Sequence, residues 1–479
     1  MKKFIIIFGT IALVTSCKKY LDVNHTPNNP LSVPPTTLLP TVTVGIAFAN
    51  GNDLNRATSA LVQHIAGVAN QTAAYDVYNL DGAFDNQWNF EIYNGAINNA
   101  QLLVDQYSTT SPAYSGIAKL EMAYAFSMAT DLWGDVPYTQ AGQGLKFETP
   151  VFDKVQDIYQ GNGSIKSLFD LVKDGLADLD KTSTFKPGAK DDIVYQGDLT
   201  KWKRMGNTLL LKFAIMLTNT NPTLAKSTIQ SVLTGNNYIS ANNLDFEVPF
   251  GTTVGNQNPL YSFNNVNRTG DQMLSLRLLN LMKSLNDTVR LAKFFTKPGG
   301  VFTGFDNGST AVAPALTARS KYNTYLVGNT GEAPIRLLTN FQVQFILAEA
   351  ALVLGTPGDP NAYYQAGITA NMQKIGMTAA EISAYFTANP TIVTLTGTTA
   401  QKLQQIMTQK YIAWIGNGIE AYDDYRRTGY PVLTLVNNAQ GDNPNVIPTR
   451  LPYTPAELSR NPNAPKPRPK TDVKLWWAK

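Results

Sequence analysis

The sequence predicts a mainly α-helical protein in which paired helices stack like tetratricopeptide hairpins and long irregular segments interrupt the stack. Apolar side chains recur at spacings of three and four over most of the chain. Alanines cluster where paired helices would cross closely, at Ala123, Ala125 and Ala129 and again at Ala348, Ala350 and Ala351. Three long stretches rich in Gly, Asn, Pro, Thr and aromatic residues break the period. With 43% hydrophobic and 15% charged side chains over 479 residues, the chain is too apolar for disorder and long enough for a large core.

The first seventeen residues read as a leader. Lys2 and Lys3 give a positive start, Phe4 to Val14 is an apolar run, and Thr15-Ser16 leads into Cys17, the only cysteine. That run is too short to span roughly 30 Å of hydrocarbon but suits a signal-peptide core. A small residue directly before the cysteine resembles a bacterial lipobox. Cleavage there would expose the Cys17 amine, and acyl chains on its sulfur and nitrogen would anchor the protein, each buried CH₂ contributing roughly 0.8 kcal/mol. Residues 1–16 are therefore expected to be a lipoprotein signal peptide, 17–35 a lipidated, proline-rich tether, and 36–479 a single α-helical domain. No later apolar run approaches membrane-spanning length.

From Thr36 the helical period takes over. Phe90, Tyr93, Ile97, Ala100, Val104 and Tyr107 make the first stripe, followed by Ile117, Leu120, Tyr124 and Met128. Ile165, Leu168, Val172, Leu176 and Leu179 come next, then Trp202, Met205, Leu209, Phe213 and Met216, and finally Leu338, Phe341, Phe345, Ala348 and Leu352. Each stripe sets one apolar face against a neighbour, and core packing explains all of them. The irregular stretches are 236–270, 297–335 and 437–470. Segments of this kind are functional surfaces or disordered excursions. Phe246-Glu247-Val248 is one of few strand-like pieces.

Composition excludes several chemistries. A sole cysteine rules out an internal disulfide and a thiolate cluster. His25 and His64 are the only histidines, and no HExxH is present, so no metal site is expected. No EF-hand spacing indicates Ca²⁺, and no other cofactor is implied. Removing Lys2 and Lys3 leaves 37 basic side chains against 35 acidic ones, with no basic stripe to follow a phosphate backbone, so nucleic acid is not an expected partner. The GNGS at 161–164 lacks the Lys of a phosphate loop, and Gly-x-Ser-x-Gly does not occur. In Asp131-Leu-Trp-Gly-Asp-Val-Pro, Gly134 can end a helix in the left-handed conformation and Pro137 blocks its resumption. Asp131 and Asp135 are expected to cap amides in that turn. Glu420, Asp423, Asp424, Arg426 and Arg427 form the densest charge cluster. Helical spacing lets Glu420 and Asp423 meet Arg426 or Arg427. A salt-bridged structural element is the plainer reading, and a glycosidase carboxylate pair the sharper one.

Several stretches together resemble the SusD/RagB-like outer-membrane lipoproteins. Cys17 is soon followed by Leu21-Asp22. Trp88, Tyr93, Ile97 and Asn98-Asn99-Ala100 are similar to that family's Trp…Tyr…Ile…Asn helix, and Asp131 to Tyr138 to its signature turn. Lys410-Tyr-Ile-Ala-Trp with Gly418 to Pro431, Arg450 to Glu457 and the closing Trp476-Trp477 complete the pattern. The resemblance implies tetratricopeptide-like hairpins with an irregular, loop-rich half and few short strands. It also implies a non-catalytic protein of the outer membrane, facing the cell surface, that captures glycans or other oligomers for a SusC-like TonB-dependent transporter. Lys18 and Lys19 depart from the acidic residues that often follow the cysteine in surface-directed members.

Sugars present apolar C–H faces and rings of hydroxyls, so their sites pair exposed aromatics with amide, carboxylate or guanidinium groups. Tyr75, Tyr78, Asn86 and Trp88 in the loop 75–88, Phe263, Asn264 and Arg268, and Tyr322 have that composition and are the expected ligand-binding residues; core packing is the alternative for Trp88. The rival functions are a secreted lipoprotein glycoside hydrolase using the clustered carboxylates, and a purely structural helical-repeat scaffold.

Overall fold

The computed structural model describes residues 33–479. The expected signal peptide, Cys17 and nearly all of the tether lie outside the described residues. Pro35–Gly51 opens the helical array, with proline at the position where a missing N–H costs nothing. It packs on the helical segment Gln87–Asn98 and its continuation Asn99–Tyr107. Pro112–Trp133 pairs with Leu168–Leu179, Leu199–Met216 with Pro222–Gly235, and Asn340–Val353 with Pro360–Lys374 and Thr399–Ala413. These are the expected hairpins.

Pro112–Trp133 is the central strut. Every one of its side chains except Lys119 is buried, which requires partners on all sides. Small residues make the close crossings: a Cβ on Gly116 would fall 2.8 Å from the Gly175 carbonyl oxygen. Buried apolar side chains form one contiguous core from Leu38 to Trp477, with a small satellite of Ala66, Met273 and Phe305.

Strands are short, paired and antiparallel. Ile65–Gly67 pairs with Gln272–Leu274, Val136–Pro137 with Phe152–Asp153, and Phe246–Val248 with Ile335–Leu338. The irregular stretches 236–270 and 297–335 thus meet in one of these ladders, the first through Phe246–Val248 and the second through Ile335. The stretch 437–470 leans on the central strut: Trp133 Nε1 donates to the Pro452 carbonyl at 2.9 Å, and Leu451 N to that of Leu132 at 2.8 Å.

Three expectations need correction. The first stripe fails at Phe90, which is 66% exposed, because Gln87–Asn98 is a π-helix with i→i+5 hydrogen bonds. Its slower turn buries Trp88, Ile92 and Ala96 along with the expected Ile97. At the end of the central strut, Gly134 does stop the helix, at φ 88° and ψ −117°, but Asp131 caps no amide of the turn. It is fully buried and accepts the Tyr159 hydroxyl at 2.8 and 3.0 Å, while Asp135 accepts from Val155 N at 2.9 Å. Finally, Glu420 meets neither arginine. Its partners are Lys212 Nζ at 2.6 Å and Gln342 Nε2 at 2.7 Å, both from distant helices.

Candidate functional site

The π-helix Gln87–Asn98 forms one wall of a groove. Its widened turns leave carbonyls that asparagine side chains satisfy: Asn99 Nδ2 donates to the Asn94 and Gly95 carbonyls at 2.7 and 3.0 Å, and Asn89 Nδ2 to that of Asp85 at 3.0 Å. The helix can lie close against Pro35–Gly51 because glycines meet there; a Cβ on Gly45 would sit 2.8 Å from the Gly95 carbonyl carbon. π-Helical turns recur at functional sites because they push side chains out of the regular register.

The loop 137–150 forms the second wall. Asp153 Oδ2 fixes its start by accepting from Tyr138 N, Thr139 N and the Thr139 hydroxyl at 3.2, 2.7 and 2.9 Å. Gly142 and Gly144, at φ 71° and 56°, let it reverse. Tyr93 ties the walls together by donating its hydroxyl to the Pro137 carbonyl at 2.9 Å. The short helix Pro455–Arg460 closes one end, where Asn461 Nδ2 bridges Glu457 Oε1 at 2.8 Å and the Pro150 carbonyl at 2.9 Å.

Between these walls lies an open groove of about 260 Å³. Asn89, Asn94, Asn98, Gln140 and Gln143 line it with amides, Tyr93 and Phe147 with aromatic rings, and Glu148 and Glu457 with carboxylates. Trp88 forms the floor, held in place by Tyr93, Trp133 and Tyr453 at ring-centre distances of 5.0, 5.1 and 6.2 Å. Phe90 and Leu145, 66% and 88% exposed, project from the two wall segments. Flat apolar surface interleaved with amide donors and acceptors is the chemistry a neutral oligosaccharide requires. A larger cleft of about 650 Å³ lies between residues 34–36 and 184–191; Tyr107, Tyr114 and Phe185 line it beside Lys186, Lys190 and Asp191, and it presents no side-chain amide.

The structure separates the residues expected from sequence to bind ligand. Trp88 lies beneath the groove, and Asn86 is exposed just before its helical wall. Tyr75, Tyr78, Asn264 and Tyr322 are buried and, with Trp88 itself only 2% exposed, cannot offer an open stacking face. Tyr75, Tyr322 and Phe263 gather around the buried Arg56 instead. The Phe263 ring lies 3.6 Å from the guanidinium, and burial pulls Arg56 down to about 10 despite Tyr75, Glu91, Asp271 and Tyr322 nearby. Tyr78 accepts a hydrogen bond from Val436 N at 3.2 Å, and Asn264 Nδ2 donates to the Leu260 carbonyl at 2.8 Å. Tyr75 lies in the short helix Asn70–Asp76 and Phe263 and Asn264 in the π-helical turn Ser262–Asn267, not in open loops. Arg268 is exposed and Phe263 half-buried.

Sequence reasoning missed most of the groove: Asn89, Tyr93, Asn94 and Asn98 on one wall, Gln140, Gln143, Phe147 and Glu148 on the other, and Glu457 at the end. The available signal was the amide density of 86–101, where seven Asn or Gln residues outnumber what helix packing needs: Asn86, Gln87, Asn89, Asn94, Asn98, Asn99 and Gln101.

The carboxylate cluster offers no reaction site. Glu420 and Asp423 are 4% and 3% exposed, and Asp131 is fully buried. Lys212, Lys410, Arg426 and Arg427 face Glu349, Glu420, Asp423 and Asp424 within the packed core. Burial, reinforced by repulsion from Asp423, holds Asp131 well above the ordinary carboxylate range, and burial raises Glu420 and Asp423 as well. No sugar can reach between these groups.

A family model of SusD-like type, described as "starch-binding associating with outer membrane", matches residues 27–454. No curated protein matches the chain. Among solved structures, a chitin-binding protein is 24% identical with a TM-score of 0.76, covering 93% of this chain and 100% of its own. A SusD homologue from Bacteroides fragilis is 21% identical with a TM-score of 0.78, over 93% of this chain and 100% of its own. A chitin-binding SusD homologue from Flavobacterium johnsoniae is 21% identical with a TM-score of 0.73, over 92% and 97%. At these identities the structural likeness speaks for the fold, and the family model for the family.

Proposed function

Because the chain belongs to the SusD-like family, whose members are outer-membrane-associated binding proteins rather than enzymes, we propose that it captures an oligomeric glycan without altering it and passes it on for import. The observation that carries this reading is the groove above Trp88, where five amide side chains lie beside the rings of Tyr93 and Phe147. An open groove of this size covers only a few sugar rings, which favours modest affinity and ready release. The chitin-binding relatives make chitin oligosaccharides the first ligands to try.

The same reading places the protein at the outer membrane by acyl chains on Cys17, facing the cell surface beside a SusC-like TonB-dependent transporter. Its support is the leader sequence, the family, and the finding that among the described residues no helix is long and apolar enough to cross a membrane. Mass spectrometry of the N-terminal peptide from native membranes, and co-purification of a large barrel protein, test that part.

For the groove, calorimetric titration with chitin and starch oligosaccharides is expected to show binding that Asn94→Ala and Phe147→Ala each weaken about three- to tenfold, as lost hydrogen bonds and ring contacts predict. Binding indifferent to both variants, or release of shortened sugars, would overturn the reading.

A further inference from the structure

Hydrogen bonds within the walls fix what the groove's amides have left to offer. Val151 N donates to Gln140 Oε1 at 3.0 Å, which leaves Gln140 Nε2 as a donor. Gln143 is engaged at both ends, its Nε2 by the Thr139 carbonyl at 2.7 Å and its Oε1 by Lys146 Nζ at 3.1 Å. Asn89 Nδ2 donates to the Asp85 carbonyl, which leaves its Oδ1 as an acceptor. Asn98 Nδ2 donates to Asn94 Oδ1 at 2.7 Å. One bond between two primary amides leaves an N–H on one and a carbonyl oxygen on the other, whichever way the pair is turned. The i→i+5 turns of Gln87–Asn98 bring Asn89, Asn94 and Asn98 to one face; α-helical spacing would turn Asn89 away from Asn94.

Resting on the glycan-capture reading, we infer that the Asn94–Asn98 pair reads the acetamido group of 2-acetamido sugars, so that the groove selects them over sugars carrying a hydroxyl there. A secondary amide is the complement of such a pair. Its N–H meets the pair's remaining carbonyl oxygen, and its own carbonyl oxygen meets the remaining N–H. That oxygen has a second lone pair, for which Gln140 Nε2 on the opposite wall is a donor. A hydroxyl carries donor and acceptor on one atom and cannot reach both amides. The acetyl methyl finds apolar partners in Tyr93, Ala141 and Phe147, which line the same groove.

The test is calorimetric titration with N-acetylglucosamine hexamer and cellohexaose, which share one linkage and differ only in acetamido against hydroxyl. The acetylated hexamer is expected to bind roughly five- to fiftyfold more tightly, the gain of two hydrogen bonds. Asn98→Ala removes the pair, and Asn94→Asp keeps the bond from Asn98 while deleting the N–H. Each variant should bring the ratio of the two affinities to within about threefold, with a melting temperature close to that of wild type. Equal affinity of wild type for the two hexamers, or a preference that both variants keep, would overturn the assignment. Glycan capture would then stand if Phe147→Ala still weakens binding. Failure of both hexamers to bind overturns the assignment too, and failure of starch oligosaccharides besides removes glycan capture with it.

Discussion

Single residues show how burial redirects side chains whose sequence neighbourhoods suggested chemistry. His64 is fully buried; its Nε2 lies 3.0 Å from the Tyr411 carbonyl, and burial pushes its pKa down to about 3. The folded protein therefore holds a neutral imidazole, whereas the unfolded chain takes up a proton below its ordinary value of about 6.5. This residue's contribution to stability is fully present above pH 6.5 and is lost as pH falls from there toward 3. At pH 5 the loss should amount to about 2 kcal/mol. Urea unfolding of wild type and His64→Gln between pH 7 and 4.5 is expected to give a shallower acid slope for the variant; parallel curves would contradict this. Trp88 illustrates the other outcome. Its ring packs as core, beneath the floor of the groove.

At the level of elements, the π-helix Gln87–Asn98 and the helix Gly418–Thr428 matter most. The first depends on glycine contact with Pro35–Gly51. Gly45→Ala would drive a methyl into the Gly95 backbone at 2.8 Å, so overpacking should cost about 1–3 kcal/mol. The groove wall would shift with it. Thermal unfolding should register the cost, and a titration should show weaker sugar binding than in wild type. The helix Gly418–Thr428 is fastened by ion pairs to residues on three other helices: Lys212, Glu349 and Lys410. Arg427→Ala leaves Glu349 and Asp424 buried without their guanidinium partner and is expected to destabilise the protein by about 3–5 kcal/mol in urea denaturation. A loss below 1 kcal/mol would mean that water reaches the cluster.

Across the whole molecule, helical hairpins form the scaffold and irregular segments fill the space between them. The hub that joins these segments is polar. Asn307 donates to Asp76 Oδ1 at 2.5 Å and to the Ile65 carbonyl at 2.8 Å, accepts from Ser275 at 2.6 Å, and its carbonyl receives Asn437 N at 3.0 Å. Four distant segments thus meet around one asparagine, and no local sequence signal reveals that convergence. The groove is a similar product of distance, since residues from 88–98, 137–150 and 457 build it.

The mainly helical class and the stripes at 117–128, 202–216 and 341–348 were legible because amphipathic periodicity is a local property, set by which face of a helix must leave water, whereas Leu338 falls in a strand. The turn at Gly134 was legible for the same reason, as a glycine free to adopt positive φ. The family hallmarks at 131–138 and 418–431 could be recognised, but not what their charges touch, because Glu420 and Lys212 lie 208 positions apart. Apolar spacings of three and four fit an α-helix and mask a π-helix, so the placement of Phe90 went astray. Aromatics between glycines and asparagines look alike whether they face sugar or core. Sequence alone determined the helical class, the hairpin pattern and the family likeness, all short-range signals along the chain. Tertiary structure alone decided which loops face inward and which amides and carboxylates share a groove, because burial and opposed walls exist only after distant segments have packed.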